Sequence, residues 1–267
     1  MYIVKIGGSQ GIRFDAVADD AAALHRQGKR LVLVHGGSAL TNQVATQLGH
    51  PPQFVTSLSG FSSRRTDRRT LEIFTMVCAG GINKTLVELL QKRRANALGL
   101  CGMDGRLWEG PRKEAIKIIH QGRRLILRDD FTGKVEKVNV GLIQQLLDAG
   151  FLPVISPPAI SYEGEPINVD GDRAAAATAT ALGAEALIIL SNVPGLLEKF
   201  PDESTLIRHI PAKEIGKFMS VAEDRMKKKI MGAAEAVEGG LQRIVFADGR
   251  LDHPIQSAMD GAGTVID

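Results

Sequence analysis

Short runs of apolar residues alternate with longer amphipathic stretches along most of the chain. The apolar runs include YIVKI, RLVLV, LPVIS, ALIIL and RIVFA. A continuous apolar run of this length is typical of a strand that is buried on both faces of a parallel sheet. The pattern therefore predicts a mostly parallel central sheet that is covered by helices on both sides.

The stretches between these runs carry apolar residues at the spacing of an amphipathic helix. From this spacing we predict helices over residues 15–27, 39–48, 69–79, 83–93, 141–149, 171–182 and 225–237. Together with the strands, these helices favour one continuous α/β domain, a three-layer αβα sandwich. We expect an N-terminal lobe over residues 1–165 and a C-terminal lobe over residues 166–267.

The pattern changes between residues 106 and 138. Short β-like runs such as AIKIIHQG and RRLILR are separated there by glycine. Glycine between short alternating runs indicates β-hairpins. We therefore expect this segment to form hairpins that lie outside the parallel sheet, and a last short strand near GTVID.

Composition narrows the functional classes. The 267 residues are 44% hydrophobic and 24% charged, which is enough to bury a large core. Cys78 and Cys101 lack the spacing of a metal or redox motif, and the six histidines show no paired ligand spacing. No run approaches the roughly twenty apolar residues of a membrane span, and Met1 leads directly into the first strand. We therefore expect a cytoplasmic protein with no membrane contact and no protein-held metal.

The charge is distributed unevenly along the chain. The net charge is +3, but residues 64–137 hold 17 Lys and Arg against 9 Asp and Glu, a local net charge of +8. The remaining residues hold 16 against 21 and are acidic. This basic region is either a solvated surface or a docking face for an acidic partner. Nucleic acid is disfavoured, because aromatic residues make up 4% of the chain and do not interleave the basic ones.

Two of the predicted strands end in paired glycines, VKIGGS and LVHGGS. Gly7, Gly8, Gly36 and Gly37 would bring backbone N–H groups to the carboxyl ends of the strands, where open α/β sheets bind ligands. The helix after the second pair adds its positive N-terminal end. Lys5 lies inside the first apolar run, and a buried ammonium group needs an anion. Because GxxxxGK[ST] is absent and neither turn carries GxGxxG, a phosphate site here would differ from the common nucleotide folds.

More charged residues lie in the C-terminal third. In PINVDGDRAAAATATALGA, Asn168, Asp170 and Asp172 precede an alanine-rich helix. Capping of that helix explains Asp170 as well as a functional role does, and explains Asp172 less well. In EDRMKKKIMGAAEAV, residues 227–229 are three lysines at the start of another helix, where they oppose the helix dipole. A nearby anion would relieve this conflict; a solvated surface run is the alternative.

Five motifs in order resemble the amino acid kinase family. VKIGGS, LVLVHGGS, INVDGDRAAAATA, LIILSNVPGLL and RMKKKI follow one another as they do there, and the resemblance to the acetylglutamate kinase branch extends over nearly the whole chain. The resemblance implies an αβα sandwich that transfers the γ-phosphoryl group of ATP, with Mg²⁺, to a side-chain carboxylate. It also implies acceptor binding and homodimer formation by the N-terminal lobe, and ATP binding by the C-terminal lobe.

The resemblance implies roles for individual residues. Lys5 resembles the strand lysine that contacts the transferring phosphoryl group, Lys229 resembles its counterpart on the ATP side, and Asp172 resembles the aspartate that orients both. Matches to the phosphate- and ATP-binding positions are Gly7, Gly8, Ser191 and Asn192. Matches to the acceptor-binding positions are Gly36, Gly37, Arg64 and Asn168.

Elementary chemistry agrees with these roles. Phosphoryl transfer accumulates charge on the γ-phosphoryl oxygens, so that catalysis is mostly positioning and electrostatic stabilisation. Two lysines and backbone N–H groups meet that need. An acceptor carboxylate is already ionised near neutral pH and needs no general base. This favours a carboxylate acceptor over a hydroxyl group.

Departures from the acetylglutamate kinases favour a carrier-linked acceptor. Ser38 stands where that branch has glycine, Asn192 replaces the usual aspartate, and Asp170 stands where asparagine is common. With SGFSSRRTD and DDFTGKVEKVNVG, these features resemble the family members of lysine biosynthesis that phosphorylate 2-aminoadipate on a small acidic amino-group carrier protein of the LysW type. Docking of such a carrier on the basic region would involve Arg65, Arg68, Arg123, Arg124 and Lys134.

Three alternatives remain open at this point. One is carrier-linked glutamate as acceptor, since one methylene group changes binding by only about 1–3 kcal/mol. Another is the same reaction on free N-acetylglutamate, as in arginine biosynthesis. The third is a non-catalytic regulator that binds a nucleotide or an amino acid, against which the joint presence of Lys5, Asp172 and Lys229 argues.

Overall fold

The computed structural model describes residues 1–58, 60, 62–120, 123–220 and 224–267. Within these residues the strands are β1 (Tyr2–Ile6), β2 (Leu31–His35), β3 (Phe54–Ser57), β4 (Ser62–Arg64), β5 (Ala97–Cys101), β6 (Trp108–Gly110), β7 (Ile116–His120), β8 (Arg123–Leu127), β9 (Lys137–Val138), β10 (Leu152–Ser156), β11 (Ala159–Ser161), β12 (Pro166–Ile167), β13 (Ala186–Ser191), β14 (Leu196–Leu197), β15 (Leu206–Ile207), β16 (His209–Ile210), β17 (Ile244–Asp248) and β18 (Thr264–Ile266). The α-helices are α1 (Phe14–Arg26), α2 (Ser38–Gln47), α3 (Arg68–Thr75), α4 (Asn83–Lys92), α5 (Val140–Asp148), α6 (Gly171–Ala181), α7 (Asp224–Glu238) and α8 (Pro254–Met259).

The described residues build a central eight-stranded sheet in the order β16-β18-β17-β13-β1-β2-β10-β5. Every neighbouring pair in it is parallel except β17 and β18. Strand β1 lies in the middle, between β13 and β2, so its side chains are buried on both faces. The predicted αβα sandwich with a mostly parallel sheet is confirmed.

Helices cover both faces of this sheet. One core cluster joins α1, α4 and α8 to the face that holds Val4 and Ile6, and another joins α5, α6 and α7 to the opposite face, which holds Ile3. Because side chains alternate along a strand, Lys5 shares the face of Ile3. Alanines of α6 pack directly on that face and bring the helix close to it. The sequence pattern of β1 and α6 therefore decides which helix Lys5 meets.

Most predicted helices are confirmed to within two residues at each end, but the break predicted after residue 79 is wrong. Between α3 and α4, residues Met76–Ile82 form a π-helical segment that carries one helix through from Arg68 to Lys92. Gly80 and Gly81 lie between the two predicted helices. A Cβ atom at Gly80 would meet nothing within 4 Å, so no packing contact requires a glycine there.

This long helix corrects a second expectation. By length and composition, Arg68–Lys92 could cross a membrane, although we expected no such stretch. In its most apolar window 44% of the residues are buried inside the protein, and α4 packs against β5 and β10. A core helix of a soluble protein meets the same criterion, so this is weak evidence for a membrane span. The absence of membrane contact stays a prediction.

The predicted hairpins form small sheets beside the central one. Strands β7 and β8 pair as a hairpin and extend an antiparallel sheet in the order β4-β3-β7-β8. A further small sheet has the order β12-β11-β6-β9. Short α8 and the short strands β3, β4, β11, β12 and β14–β16 were not predicted. The central sheet takes strands from both sides of residue 165, and the division into lobes there stays a prediction.

Candidate active site

Two lysines from distant parts of the chain meet at one aspartate. Lys5 Nζ lies 2.6 Å from Asp172 Oδ1, and Lys229 Nζ lies 3.5 Å from Asp172 Oδ2. Lys5 comes from the middle strand, Asp172 from the first turn of α6 and Lys229 from the second turn of α7. The three side chains are between 8% and 13% exposed. The structure therefore brings these three residues together at the carboxyl ends of the strands.

The cluster has the positive charge of an anion-binding site. Burial raises the pKa of Asp172, but the charges of Lys229 and Lys5 outweigh burial and hold the pKa well below its usual range. Burial lowers the pKa of Lys229 below its ordinary value, and the nearby Asp172 only partly opposes this. With both lysines charged, the cluster has two positive charges against one carboxylate. A buried net positive charge favours binding of an anion.

The two glycine turns contact each other. A Cβ atom at Gly8 would lie 2.5 Å from Gly37 N and 2.8 Å from Ser38 N, so only glycine allows this approach. On its other side a Cβ atom at Gly37 would lie 2.6 Å from Cys78 Sγ, which belongs to the π-helical segment. Gly7 and Gly36 continue their strands by donating to the carbonyl groups of Leu190 and Ile6, at 3.0 Å each.

Where the two glycine turns meet, backbone N–H groups are available as hydrogen-bond donors to a ligand. Ala39 N donates to Gly8 O at 3.1 Å and fixes the start of α2 beside the first turn. Among the described residues no group accepts a hydrogen bond from the backbone N–H of Gly8, Gly37 or Ser38. Free N–H groups at a helix N-terminus form an anion-binding cradle. The arrangement therefore suits the oxygens of a phosphoryl group.

The structure also shows the local role of Asp170, for which helix capping and a functional role were both open. Asp170 caps α6, since its Oδ1 accepts hydrogen bonds from Asp172 N at 3.0 Å and Arg173 N at 3.1 Å. The capping interpretation of Asp170 is thus confirmed, and this cap positions Asp172. Of the neighbouring lysines in α7, Lys227 is half-buried and the side chain of Lys228 lies outside the described residues.

The predicted nucleotide-side residues lie at the end of β13, beside β1. Ser191 is buried, and its Oγ donates to Val193 O at 3.3 Å. Asn192 is exposed and lies next to the turn after β1, where a Cβ atom at Gly11 would be 3.9 Å from Asn192 Cβ. Both residues therefore border the cleft at the carboxyl end of the sheet.

The predicted acceptor residue Arg64 ends β4 with an unsatisfied guanidinium group. Its buried Nη1 atom has no hydrogen-bond partner among the described residues. The guanidinium carbon lies 5.5 Å from the ring centre of Phe74. Burial lowers the pKa of Arg64, and burial also raises the pKa of the neighbouring Cys78 to about 12, so the thiol does not neutralise the arginine. Arg64 is half-buried, and its buried, unpartnered Nη1 atom is suited to bind a carboxylate oxygen.

Asn168, the second predicted acceptor residue, is tied to the Arg64 strand. Asn168 Nδ2 donates to Thr66 Oγ1 at 2.9 Å. The buried carboxylate of Asp130 accepts from Thr66 N and from Thr132 N, at 2.8 Å each, and Asn168 N donates to Phe131 O at 2.8 Å. The tripeptide Asp130–Thr132 therefore joins the two acceptor residues.

Asp130 and two other polar residues near the site were not predicted from the sequence. Asp130 was hidden in an Asp-Asp pair that resembles a solvated turn. The ring of His35 is fully buried at the end of β2 and contacts Asn83. The position of His35 directly before a glycine pair was a signal that could have been used; Asn83 gave no local signal.

Three of the five predicted docking residues form ion pairs within the protein. Arg65 pairs with Asp129, Arg68 Nε lies 3.3 Å from Glu72 Oε1, and Lys134 Nζ lies 2.5 Å from Glu136 Oε1. Arg124 is exposed. The side chain of Arg123 lies outside the described residues. No cluster of three or more metal-ligating side chains occurs within the described residues.

Comparison with known proteins identifies close relatives. The sequence profile of the amino acid kinase family matches residues 1–248. The chain is 57% identical over 268 residues to the [LysW]-aminoadipate kinase of Thermus thermophilus, covering 100% of both chains. It is 59% identical over 266 residues to the protein of the same name from Deinococcus radiodurans, covering 100% of this chain and 91% of that one.

Solved structures share the fold. The N-acetylglutamate synthase from Neisseria gonorrhoeae, complexed with coenzyme A and N-acetyl-glutamate, matches with a TM-score of 0.76 and 26% identity. The match covers 99% of this chain and 58% of that one. The chain therefore corresponds to little more than half of that synthase.

Proposed function

The chain belongs to the amino acid kinase family, and from this premise we propose that it phosphorylates 2-aminoadipate attached to a small acidic LysW-type carrier protein, in lysine biosynthesis. The observation that carries the proposal is the buried pair of ammonium groups, Lys5 and Lys229, that share Asp172 beside two glycine turns. Identities of 57% and 59% to proteins named for this substrate support the choice of acceptor.

The reaction is a transfer of one phosphoryl group between two oxygens. An oxygen of the ionised side-chain carboxylate attacks the γ-phosphorus of ATP. The bond from that phosphorus to the β,γ-bridging oxygen breaks, and ADP leaves with the electron pair. The product is an acyl phosphate. No proton has to be removed from the acceptor, which agrees with a site built from lysines and N–H groups.

Lysines 5 and 229 stabilise the charge that spreads over the transferring group. Lys5 contacts the phosphoryl group from the sheet, and Lys229 contacts it from the side of the nucleotide. Asp172 holds both ammonium groups in place, and its capping by Asp170 fixes the first turn of α6. Gly7 and Gly8 line the phosphates. Preorganised donors of this kind contribute typically about 10²–10³-fold each to turnover.

ATP occupies the C-terminal side of the cleft in this proposal. Ser191 and Asn192 border the nucleotide at the end of β13. Mg²⁺ enters with ATP as part of the substrate, held by its phosphate oxygens. The one carboxylate of the lysine cluster is already engaged by two ammonium groups, which fits a cation carried by the nucleotide better than one held by the protein.

The acceptor lies on the N-terminal side. Arg64 offers an unpaired guanidinium group and Asn168 an amide to the free carboxylate and neighbouring polar atoms of the bound amino acid. Gly36 and Gly37 allow the reacting carboxylate to approach the backbone of the second turn. The carrier protein holds the amino group of the substrate, so that this group needs no charged partner in the site.

An exposed face of the small sheet is suited to carrier docking. In antiparallel pairs, opposite residues point to the same side. The register therefore places on one face Phe54, Lys117, Ile119, Arg124 and Ile126. Three of these are apolar and between 44% and 58% exposed. Because Phe54 pairs with Arg64, this exposed sheet face leads directly to the acceptor site.

Positive charges on this exposed sheet face support the docking of an acidic partner. Lys117 and Arg124 alternate there with the apolar residues, and the surrounding segment 64–137 has a net charge of +8. A free acetylated amino acid needs no such surface. We propose that Arg65, Arg68 and Lys134 form the rim of the docking area and that Arg124 lies within it; a contribution of Arg123 stays a prediction from the sequence.

The proposal includes an oligomeric state and a cellular location for the protein. Family resemblance favours a cytoplasmic homodimer through helices of the N-terminal lobe. Leu48, directly after α2, and Met76, the first residue of the π-helical segment, are 49% and 52% exposed, which leaves apolar area for such contact. Sedimentation of the purified protein at two concentrations would measure its mass and decide between monomer and dimer.

Kinase assays with three acceptors test the proposed function. We expect rapid formation of ADP and acyl phosphate with carrier-linked 2-aminoadipate, and at least a hundredfold lower kcat/KM with N-acetylglutamate. Carrier-linked glutamate measures how strongly chain length is discriminated. Equal or better use of free N-acetylglutamate would refute the carrier proposal, and no turnover with any acceptor would indicate a regulator.

A further inference from the structure

His35 is a buried polar residue that the proposed mechanism does not use. It is the last residue of β2, directly before Gly36 and Gly37, and its side chain is fully buried. Its Nδ1 atom lies 3.0 Å from Gly36 O, and its Nε2 atom lies 3.2 Å from Asn83 Nδ2. Both ring nitrogens are thus engaged inside the protein rather than at the cleft.

The surroundings of Asn83 determine which ring nitrogen carries the proton. Asn83 Nδ2 also lies 2.9 Å from Val154 O, and a backbone carbonyl can only accept. The Asn83 atom that faces Val154 O and the His35 ring is therefore the amide nitrogen, and Lys84 Nζ, which donates to Asn83 Oδ1 at 3.2 Å, fixes the same orientation. Leu100 O lies 3.3 Å from this nitrogen as well, so three acceptors share its two hydrogens, and a proton on Nε2 would face a donor group. Burial lowers the pKa of His35 to about 4, so the ring is neutral and has one N–H. That N–H is on Nδ1 and donates to Gly36 O.

The position of Asn83 is itself built into the fold. Asn83 follows the π-helical segment directly and begins α4. A Cβ atom at Gly99 would lie 2.0 Å from Asn83 Oδ1, so Gly99 leaves the space that this amide occupies. The π-helical segment supports the second glycine turn through Cys78 at Gly37, and the residue that follows the segment, Asn83, supports it through His35.

The hydrogen bond between His35 Nδ1 and Gly36 O also fixes the direction of the Gly37 N–H group, because both groups belong to one planar peptide. In a trans peptide, the C=O of Gly36 and the N–H of Gly37 point in opposite directions. Because His35 Nδ1 holds the carbonyl on the interior side, the Gly37 N–H is directed away from the interior. That N–H has no acceptor among the described residues.

We infer that His35, fixed in its Nδ1–H form by Asn83, is a positioning residue that keeps the Gly37 N–H turned toward the transferring phosphoryl group. A glycine–glycine peptide rotates easily, because neither residue has a Cβ atom. Without the histidine donor, the peptide can flip and present its carbonyl oxygen to the phosphate, which would repel it. The inference deepens the proposed phosphoryl transfer and rests on it.

The ring tautomer can be tested without any assay of activity. ¹⁵N-labelled protein is studied by two-bond ¹⁵N–¹H correlation spectra at pH 7, with the His35 signals assigned by their loss in His35→Asn. We expect protonated Nδ1 and unprotonated Nε2. A ring protonated at Nε2 would overturn the inference, whatever the enzyme phosphorylates.

Two polar variants separate positioning from mere filling of space. The amide nitrogen of asparagine lies as many bonds from Cα as Nδ1, and that of glutamine as many as Nε2. We therefore expect His35→Asn to keep the donor to Gly36 O and His35→Gln to lose it. His35→Gln should lose about 10²–10³-fold in kcat, the effect of one preorganised donor, and His35→Asn should retain at least ten times more.

Equal kcat values for the two variants, or a loss of less than threefold in His35→Gln, would contradict the role. Asp20→Asn is the matched control for stability. Asp20 is also fully buried, and it accepts from Ile255 N at 2.8 Å, away from the cleft. This variant should lower Tm and leave kcat of the folded protein unchanged. If wild-type protein phosphorylates none of the acceptors, the proposed function fails while the tautomer result still stands.

Discussion

At the scale of single residues, the lysine cluster is organised for a ligand rather than for stability. Lys5 and Lys229 share the single carboxylate of Asp172, so these three largely buried side chains carry a net charge of +1. Burying an uncompensated charge is costly. In the proposed function, the triphosphate of ATP would compensate that charge when it binds. The free protein therefore carries an electrostatic strain that substrate binding relieves.

Substitution of Asp172 or Lys229 should separate stability from activity. Asp172→Asn leaves two buried ammonium groups without a carboxylate, so we expect a loss of about 3–5 kcal/mol in the free energy of unfolding. Lys229→Met removes the uncompensated charge, so we expect equal or greater stability with about 10²–10³-fold lower kcat. Urea unfolding and steady-state kinetics on the same preparations measure both quantities.

Added inorganic phosphate provides the control for this pair. Phosphate should raise the Tm of Asp172→Asn more than that of Lys229→Met, because only the former keeps both lysines. If Lys229→Met proves less stable than wild type by more than about 1 kcal/mol, the account of electrostatic strain is wrong.

The pKa of Lys229 predicts opposite pH trends for activity and stability. Burial lowers this pKa below 10.5, so the folded protein releases the proton before the unfolded chain does. Between the lowered pKa and 10.5 the unfolded state holds more protons, and stability contributed by Lys229 rises with pH. Activity should fall over the same interval, because the neutral amine no longer stabilises the phosphoryl group.

Profiles of kcat/KM and of unfolding free energy against pH measure the two trends. In Lys229→Met the alkaline gain in stability should disappear. In Lys229→Arg any remaining activity should lack the alkaline decline, because a guanidinium group keeps its charge. An alkaline decline that persists unchanged in Lys229→Arg would assign it to another group.

At the scale of structural elements, short segments connect residues that lie far apart in sequence. The clearest case is Asp130–Thr132, which is placed between the end of β4 and the strand before α6. One oxygen of Asp130 accepts from Thr66 N and the other from Thr132 N. Arg112 stacks on the Phe131 ring at 3.9 Å and keeps the segment in place. These contacts set the separation of Arg64 and Asn168.

Asp130→Asn should weaken acceptor binding selectively. The new NH₂ group would face a backbone N–H where an oxygen is needed, so one hydrogen bond is lost and two donors meet. We expect KM for the acceptor to rise about tenfold or more, with KM for ATP within twofold of wild type. Steady-state kinetics with each substrate varied in turn measure both constants. Asp129→Asn is a matched control, since Asp129 is largely exposed; equal effects of both variants would refute the role of Asp130.

At the scale of the whole molecule, the charge distribution divides the protein into a basic and an acidic part. The basic segment 64–137 includes β7 and β8, whose exposed sheet face carries Lys117 and Arg124. Such a field steers an acidic partner and is screened by salt. We therefore expect the charge asymmetry to affect association with the proposed carrier rather than the fold itself.

Reversal of these charges should affect only the carrier-dependent reaction. For Lys117→Glu with Arg124→Glu, we expect kcat/KM with carrier-linked 2-aminoadipate to fall at least tenfold while KM for ATP is unchanged. With wild type, the same kcat/KM should decrease as ionic strength rises. Lys92→Glu with Arg94→Glu, at the end of α4 and after it, provides a charge-matched control. A kcat/KM that is independent of salt would disprove electrostatic docking.

Much of the fold could be predicted from the sequence, because its information is local. Continuous apolar runs and helical spacing fixed the central strands and most helices to within two residues, and the order of motifs indicated the family. The glycine pairs and Lys5 are readable for the same reason, since a charge or a missing side chain inside a buried strand is anomalous by itself. A functional residue that breaks a local pattern can therefore be recognised from the sequence alone.

Tertiary structure alone decided which of these residues meet. Asp130, His35 and Asn83 have ordinary local contexts, and their importance comes from hydrogen bonds to groups as much as 71 positions away. A π-helical segment lies where a break was predicted, and its contacts are long-range: Cys78 packs at Gly37, and the next residue, Asn83, contacts His35. Contacts between distant segments are the product of packing, and no single stretch of sequence contains them.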